Sequence, residues 1–423
     1  MNFSSKLKMI WEDKGLRNRL LFLGFALVIS RLIATIPVPG IDAAKLNEFF
    51  SGSQFFSFLN IFSGGGMSRL SIVMLGVSPY ITASVAMQLL TMISGKLKSM
   101  YQEEGEAGRS KFNQISRIIT VPIALVQAFG FLMLLAKSGI ISNLTHTELI
   151  VNIIVITAGS MLFMWIGELM TEFGIGNGVS LLIFAGIVAR LPSTLTQLSL
   201  IFSISQIPMY ILFVAFSLFV IYGIVFISEA ERPVPVTYAK TIRGGNASGG
   251  VSTYLPLRVT QAGVMPIIFG MSILLFPQMI FKFLATANVS PAIRSISASL
   301  NSFISNQGVY AVLYFVLVFL FTYFYTAITF DPDQISKNLQ QSGAFIPGVR
   351  PGQSTSDYLA KVLTRITLVG ATFLGIVAVL PLIVTSITGI ASLAVGGTAL
   401  LIVVSVVIDL IKKVDAQITM REY

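Results

Sequence analysis

The 423-residue chain offers few side chains able to do covalent chemistry. It has no cysteine, and His146 is its single histidine. A hydrolase working inside a membrane needs an aspartate pair, an activated serine or histidines able to hold a metal. His146 stands alone in the polar run SNLTHTEL (142–149), where it reads as a solvated residue of a short loop. Glu168, Glu229 and Asp409 fall near the ends of apolar runs, and no ionisable residue falls at the centre of one. Ion-coupled pumps place a charge there. The glycines invite a phosphate-cradle reading, but no Lys-Ser/Thr follows Gly64, Gly65 and Gly66. GIGNG (174–178) reads as a tight turn using the positive φ that glycine permits, and GGNASGG (244–250) as a hairpin tip. Two pairs of branched aliphatics, Val77 with Ile81 and Val179 with Ile183, sit one helical turn apart and so share a face. On spacing alone, core packing is their better reading, and the wall of a passage is the other.

The elements that must position these residues are set by composition. The chain is 54% hydrophobic and 11% charged, against about 25% charged for a soluble domain. Lipid is the expected solvent for most of it. A span needs about 20 mostly apolar residues, and ten stretches qualify: 20–36, 70–94, 117–137, 149–168, 178–192, 207–228, 263–284, 308–330, 366–387 and 393–411. The basic residues before the first stretch lead into no cleavage site, so that stretch reads as a retained span. With both termini in the cytoplasm, 21 of the 28 Lys and Arg fall on the cytoplasmic side and five on the other, the asymmetry expected of cytoplasmic loops. Ten spans divide into two sets of five, and an odd number per set forces opposite orientations. This permits inverted halves with a site between them. The halves are 1–192 and 207–423, joined by a connecting segment at 193–206. Loops 229–262 and 331–365 are too long to be simple turns. The first has β-formers flanking its Gly/Asn/Ser tip and reads as a projecting hairpin. One segment is interrupted: apolar residues 55–62, then the three glycines and Arg69, then apolar character again from Leu70 to Ile93, with Pro79 inside. Broken backbone at membrane depth is tolerated only where it is buried in protein or lines a cavity.

Several long stretches carry a resemblance. SIVMLGVSPYITASVAMQLL (71–90), WIGELMTEFGIGNGVSLL (165–182), EGEAGRSKF (104–112), SGAFIPGVRPG (342–352) and GGTALLIVV (396–404) are similar, in order along the chain, to the SecY family of protein-conducting membrane channels. The resemblance implies an all-α polytopic membrane protein. Its ten transmembrane helices would form two inverted five-helix halves around a central hourglass pore.

By motif it implies a constriction of Val77, Ile81, Val179, Ile183, Ile268 and Ile402. It implies a plug at about 60–71 containing Asn60, Phe62, Gly64, Gly65, Gly66, Met67 and Arg69. It also implies a lateral gate between the second–third and seventh–eighth spans, with Gln88, Thr91 and Gln127 on those faces. Interhelical hydrogen bonding is the plain role of such residues. Partner docking would fall to Lys240, Arg243 and Arg350. The chain departs from the family pattern at Pro233-Val234-Pro235 and at Thr241, where further basic residues are common. The implied partners are SecE, SecG, the SecA motor ATPase, the ribosome, signal sequences, nascent polypeptides and membrane lipids, with no cofactor. The implied place is the cytoplasmic membrane. The implied activity is passage of unfolded polypeptides across the membrane and sideways release of membrane segments, without covalent chemistry. A secondary transporter of a small solute is the alternative.

Overall fold

The structure is a computed structural model. It describes residues 11–38, 70–137, 145–189, 207–238, 241–243, 246–248, 252–261, 265–286, 290–388 and 391–422, with Pro192, Thr196 and Gly263 as single positions between them. The expected plug residues Asn60 to Arg69, Lys240 and nearly all of the 193–206 connection lie outside these residues.

A helix lies in each of the ten apolar stretches. In chain order these helices are α1 (Lys14–Ile33), α2 (Ser78–Ile93), α4 (Gly105–Lys137), α5 (His146–Phe173), α6 (Gly178–Val188), α7 (Ile207–Glu229), α8 (Met265–Thr286), α10 (Gln307–Thr329), α12 (Gln353–Thr388) and α13 (Ala391–Glu422). Among the described residues, 105–136, 146–173, 307–341 and 353–384 are long and apolar enough to cross a membrane. The outward faces are apolar too. Ile211, Val214, Leu218 and Phe219 of α7 and Val312, Val316 and Leu320 of α10 are exposed, as expected where the surrounding solvent is hydrocarbon.

The chain is not purely helical. Strands β1 (Glu231–Tyr238) and β4 (Ser252–Arg258) pair antiparallel, with Val234 opposite Leu255 and Val236 opposite Thr253. This is the hairpin expected from loop 229–262. A further short antiparallel pair, β2 (Thr241–Arg243) and β3 (Asn246–Ser248), forms a separate two-stranded sheet. Strand β5 (Ala344–Phe345), from the second long loop, adds to the far side of β1.

Other expectations need correcting. The stretch 95–117, left between the second and third apolar stretches, is almost wholly helical. It forms α3 (Gly95–Gln102), and α4 begins already at Gly105. Loop 331–365 contains α11 (Pro332–Gln341) and the first turns of α12. Between α8 and α10 stands a helix the hydropathy pattern did not suggest, α9 (Pro291–Ser305). His146 is not in a loop but is the first residue of α5, exposed, in a helix start closed by a capping box of Thr145 and Glu148.

The second apolar stretch, read as a span over 70–94, is helical only from Ser78. Pro79 lies in the first turn, where its missing N–H costs nothing. Residues 70–77 are a chain of turns, with Leu70 at φ 43° and Gly76 at φ 54°. Much of their polar backbone is paired within the protein. Val38 N–H donates to the Leu70 carbonyl (2.8 Å) and Ile72 N–H to the Ile36 carbonyl (3.0 Å). Val73 N–H donates to Ser71 Oγ (3.1 Å). From α5, the Ser160 hydroxyl donates to the Gly76 carbonyl (2.8 Å). Gly159 makes this approach possible, because a Cβ there would collide with the Ile72 carbonyl.

One large apolar core joins α1, α2, α5, α6, α7, α8, α10, α12 and α13. A smaller one packs Leu70, Met74 and Leu75 of the turn segment against Phe131, Leu132 and Leu135 of α4 and Ile156 of α5. Gly159→Ala should therefore force α5 off the turn segment and cost about 1–3 kcal/mol. Gly24→Ala, where nothing among the described residues lies within 4 Å of the added carbon, should be neutral or slightly stabilising. Thermal unfolding of the purified protein in detergent reads the difference as a lowered Tm for the first variant only.

Candidate functional site

The side chains that could do chemistry are committed elsewhere. Glu168 pairs with Arg117 at 2.6 Å, Glu229 with Lys412 at 2.8 Å and Asp409 with Lys413 at 2.8 Å. The first pair ties α5 to α4 and the second ties α7 to α13. Among the described residues, no group of three or more His, Cys, Asp and Glu is placed to hold a metal ion.

The aliphatic residues behave differently. Val77 is the N-cap of α2, and Ile81 lies within its first turn and a half. Val179 and Ile183 occupy the first two turns of α6, started by Asn177, whose side chain accepts from the Val179 and Ser180 N–H groups. Gly176 supplies the positive φ (95°) that the GIGNG turn needs. Ile268 lies in the first turn of α8, and Ile402 inside α13. Val77, Ile81, Ile183, Ile268 and Ile402 are all at most 5% exposed. They belong to one contiguous apolar cluster, and Val179 packs against it. Four elements distant in sequence thus bring these residues to a common core. Three of the four contribute from close to a helix start, which places breaks in regular backbone beside the cluster.

Two seams join the elements that carry these residues. Helix α8 packs against both α2 and α4, and α13 packs against α6. Arg31, in the last turn of α1, donates to the Leu182 carbonyl of α6 at 3.5 Å. On the first seam's helices, Thr91 of α2 and Gln127 of α4 are buried. The Thr91 hydroxyl is turned back onto the Gln88 carbonyl (2.6 Å). Among the described residues, the buried Gln88 Oε1 accepts no hydrogen bond. An open acceptor of this kind costs about 1–3 kcal/mol, so α2 carries a local weakness beside its apolar contacts.

Away from the apolar bundle, the two long loops form one body. Val234 and Val236 of β1, Leu257 of β4, Ala344 of β5 with Ile346 just after it, and Leu359, Val362 and Ile366 of α12 share a separate buried cluster. The period-two burial in β1 and the i, i+3, i+7 spacing in α12 generate it. Pro233 and Pro235 are tolerated in β1 because β5 meets that strand only at Thr237 and Tyr238. The proline stretch is therefore an edge on that side, where no N–H is required.

Arg350 is exposed between two positive-φ glycines, Gly348 (83°) and Gly352 (99°). Its carbonyl accepts from the Thr355 hydroxyl (2.9 Å), and the Gly352 carbonyl accepts from the Ser336 hydroxyl (2.6 Å). Ser356 donates to the Asp333 carboxylate, which closes α11 onto α12. The loop that presents Arg350 is thus fixed to two helices. Arg243 lies in β2, opposite Asn246. At the α3–α4 elbow, Arg109 donates to the Tyr101 carbonyl (3.3 Å), and the Tyr101 ring meets Phe112 at 5.0 Å. Burial pushes the Tyr101 phenol up, with the Arg109 guanidinium pulling the other way.

Sequence reasoning missed Gly159 and Ser160, which support the turn segment, and Leu359, the centre of the loop body. A small-residue pair inside an apolar helix was the available signal for the first two. Leu359→Ala should cost about 2–5 kcal/mol within the loop body. Limited proteolysis should then show faster cutting in both 231–258 and 344–352, because the two loops share that core.

The family model of SecY matches residues 71–411. The protein translocase subunit SecY of Mycobacterium tuberculosis strain H37Rv is 38% identical over 440 residues, covering 100% of this chain and 98% of the relative. The fold is similar to a solved protein-conducting channel, with TM-score 0.67, 19% identity, and 96% of this chain and 93% of that one covered. It is also similar to Sec61 in a canine ribosome–channel complex from the endoplasmic reticulum, with TM-score 0.63, 18% identity, and 96% and 93% covered.

Proposed function

The chain belongs to the SecY family, and from that premise we propose how it conducts polypeptides. It is a membrane channel subunit for protein translocation. Its helices form two inverted five-helix halves, 1–192 and 207–423, linked by 193–206 around a central pore. The membrane is the cytoplasmic one, with both termini inside.

The observation that carries the proposal is the convergence of Val77, Ile81, Val179, Ile183, Ile268 and Ile402 on one apolar cluster. As a ring between the halves, these side chains seal the resting pore. A hydrophobic constriction excludes hydrated ions by dewetting. Each aliphatic side chain taken out of contact and into water costs roughly 1.5–3 kcal/mol, so an empty ring closes on itself. A passing chain finds no hydrogen-bonding partner there and slides. Residues 60–71 act as the plug beneath the ring, hinged at Gly64, Gly65 and Gly66.

The α2–α4–α8 seam serves as the lateral gate, with Gln88, Thr91 and Gln127 on its helices. Leucine-rich segments leave through it because lipid favours them by about 0.3–0.6 kcal/mol per residue. The loop body faces the cytoplasm and receives the ribosome or the SecA motor through Lys240, Arg243 and Arg350. SecE and SecG complete the channel. Energy comes from the partner that pushes the substrate, so the chain itself needs no cofactor.

Val77→Gly with Ile81→Gly should turn the closed channel into a steady ion leak in planar bilayers, and conductance unchanged from the closed wild type would remove these residues from the ring. Crosslinkers at positions 81 and 183 should both capture a stalled secretory chain. A solute carrier would capture none. Gln88→Leu removes the open acceptor and should tighten the gate by about 1–3 kcal/mol. The readout is poorer membrane insertion of marginally apolar segments with secretion of soluble substrates retained.

A further inference from the structure

Helix α9 has three faces. One packs on the protein: Ser297 is buried, Ile304 packs against the main core, and Arg294 Nε donates to the Ala285 carbonyl at the end of α8 (3.2 Å). A second is polar, with Ser295, Ser299 and Ser302 exposed at i, i+4, i+7. The third is apolar and uncovered. Ile293, Ile296, Leu300 and Phe303, spaced i, i+3, i+7, i+10, are 46%, 60%, 40% and 60% exposed.

Four large side chains held open to water on a 15-residue helix would be a standing cost. From the structure we infer that α9 is an interfacial helix whose apolar face, Ile293, Ile296, Leu300 and Phe303, lies in the outer-leaflet boundary of the bilayer. The occupant is lipid rather than protein or water, on two grounds. First, the face runs into hydrocarbon-facing surface. Only Asn306 separates α9 from α10, whose exposed Val312, Val316 and Leu320 form its outer stripe. Second, Arg294 is the only charged residue in the helix, and its guanidinium is already engaged by the Ala285 carbonyl. With this one cation and no acidic residue, the helix carries too little charge to hold a charged partner. A serine-faced, nearly uncharged amphipathic helix binds by apolar area alone, so its attachment does not depend on anionic lipid. Anchored this way, α9 fixes the outer end of α8 to the membrane surface.

The placement on the outer side rests on the topology proposed above, and the test separates the two. The chain has no cysteine, so single-cysteine variants need no background substitution. Spin labels at Ile296→Cys, Phe303→Cys and Ser302→Cys are read in the full-length chain reconstituted into phosphatidylcholine vesicles, with and without phosphatidylglycerol. The labels at 296 and 303 should favour oxygen over a nickel chelate about tenfold more than the label at 302, as for probes about 5–10 Å below the headgroups. That ratio should not move with phosphatidylglycerol. In spheroplasts, an impermeant maleimide should label Ser302→Cys from outside. If 303 is as open to the chelate as 302, or is shielded from both reagents, the interfacial helix is wrong while the topology stands. If anionic lipid sets the ratio, the charge-independent binding is wrong. Labelling of Ser302→Cys only from the cytoplasmic side would overturn the topology and the helix placement together.

Discussion

Non-helical backbone among apolar helices has to find every hydrogen bond inside the protein, because hydrocarbon supplies none. Residues 70–77 draw on Ile36 and Val38 on one side and Ser160 on the other, and on turns of their own. The remainder of the arrangement follows. Because the turn segment is tied down in this way, α2 can begin at Ser78 in the interior of the bundle. Because α2 begins there, Val77 and Ile81 reach the same core as Ile268 and Ile402. A continuous helix over 70–94 would satisfy its own backbone, but would leave no such interior start.

The second organising feature is the merger of the two long loops. Hairpin β1–β4 and strand β5 come from loops separated in sequence by α8, α9 and α10, yet they share one sheet and one small core with α12. Arg350, proposed above to receive a partner, therefore stands on a braced loop and not on a floppy tether. It is held by backbone turns, two hydroxyl bonds and the neighbouring buried Ile346.

Much of this was legible in the sequence, and the parts that were not have physical reasons. The apolar stretches marked a helix each, because composition alone selects helices in lipid. The GIGNG turn and the hairpin were visible from glycine placement and β-formers. The truncation of α2 was not, since residues 70–77 are as apolar as a span and only Pro79 hinted at a later start. Helix α9 escaped because its apolar residues are spread at helical spacing among serines, which lowers the windowed hydropathy that finds spans. The motif resemblance nominated the aliphatic ring residues. The structure adds their common burial, which spacing could not provide. Gln88 and Thr91 are the reverse case: they look like ordinary interhelical partners in sequence, while the structure turns Thr91 back onto its own helix and gives the Gln88 Oε1 no donor among the described residues.

Helix α12 has 36 residues, a rod of roughly 54 Å at about 1.5 Å per residue. Its first turns are built into the loop core and its later turns into the main bundle. Up to Pro381 such a rod transmits torque with little bending. A load that tips the loop body would thus swing the part of α12 before Pro381 against α10 and α8, its neighbours in the bundle. Mechanical work done outside the bilayer would arrive within it as a rotation of packed helices, with no rearrangement of the loops themselves.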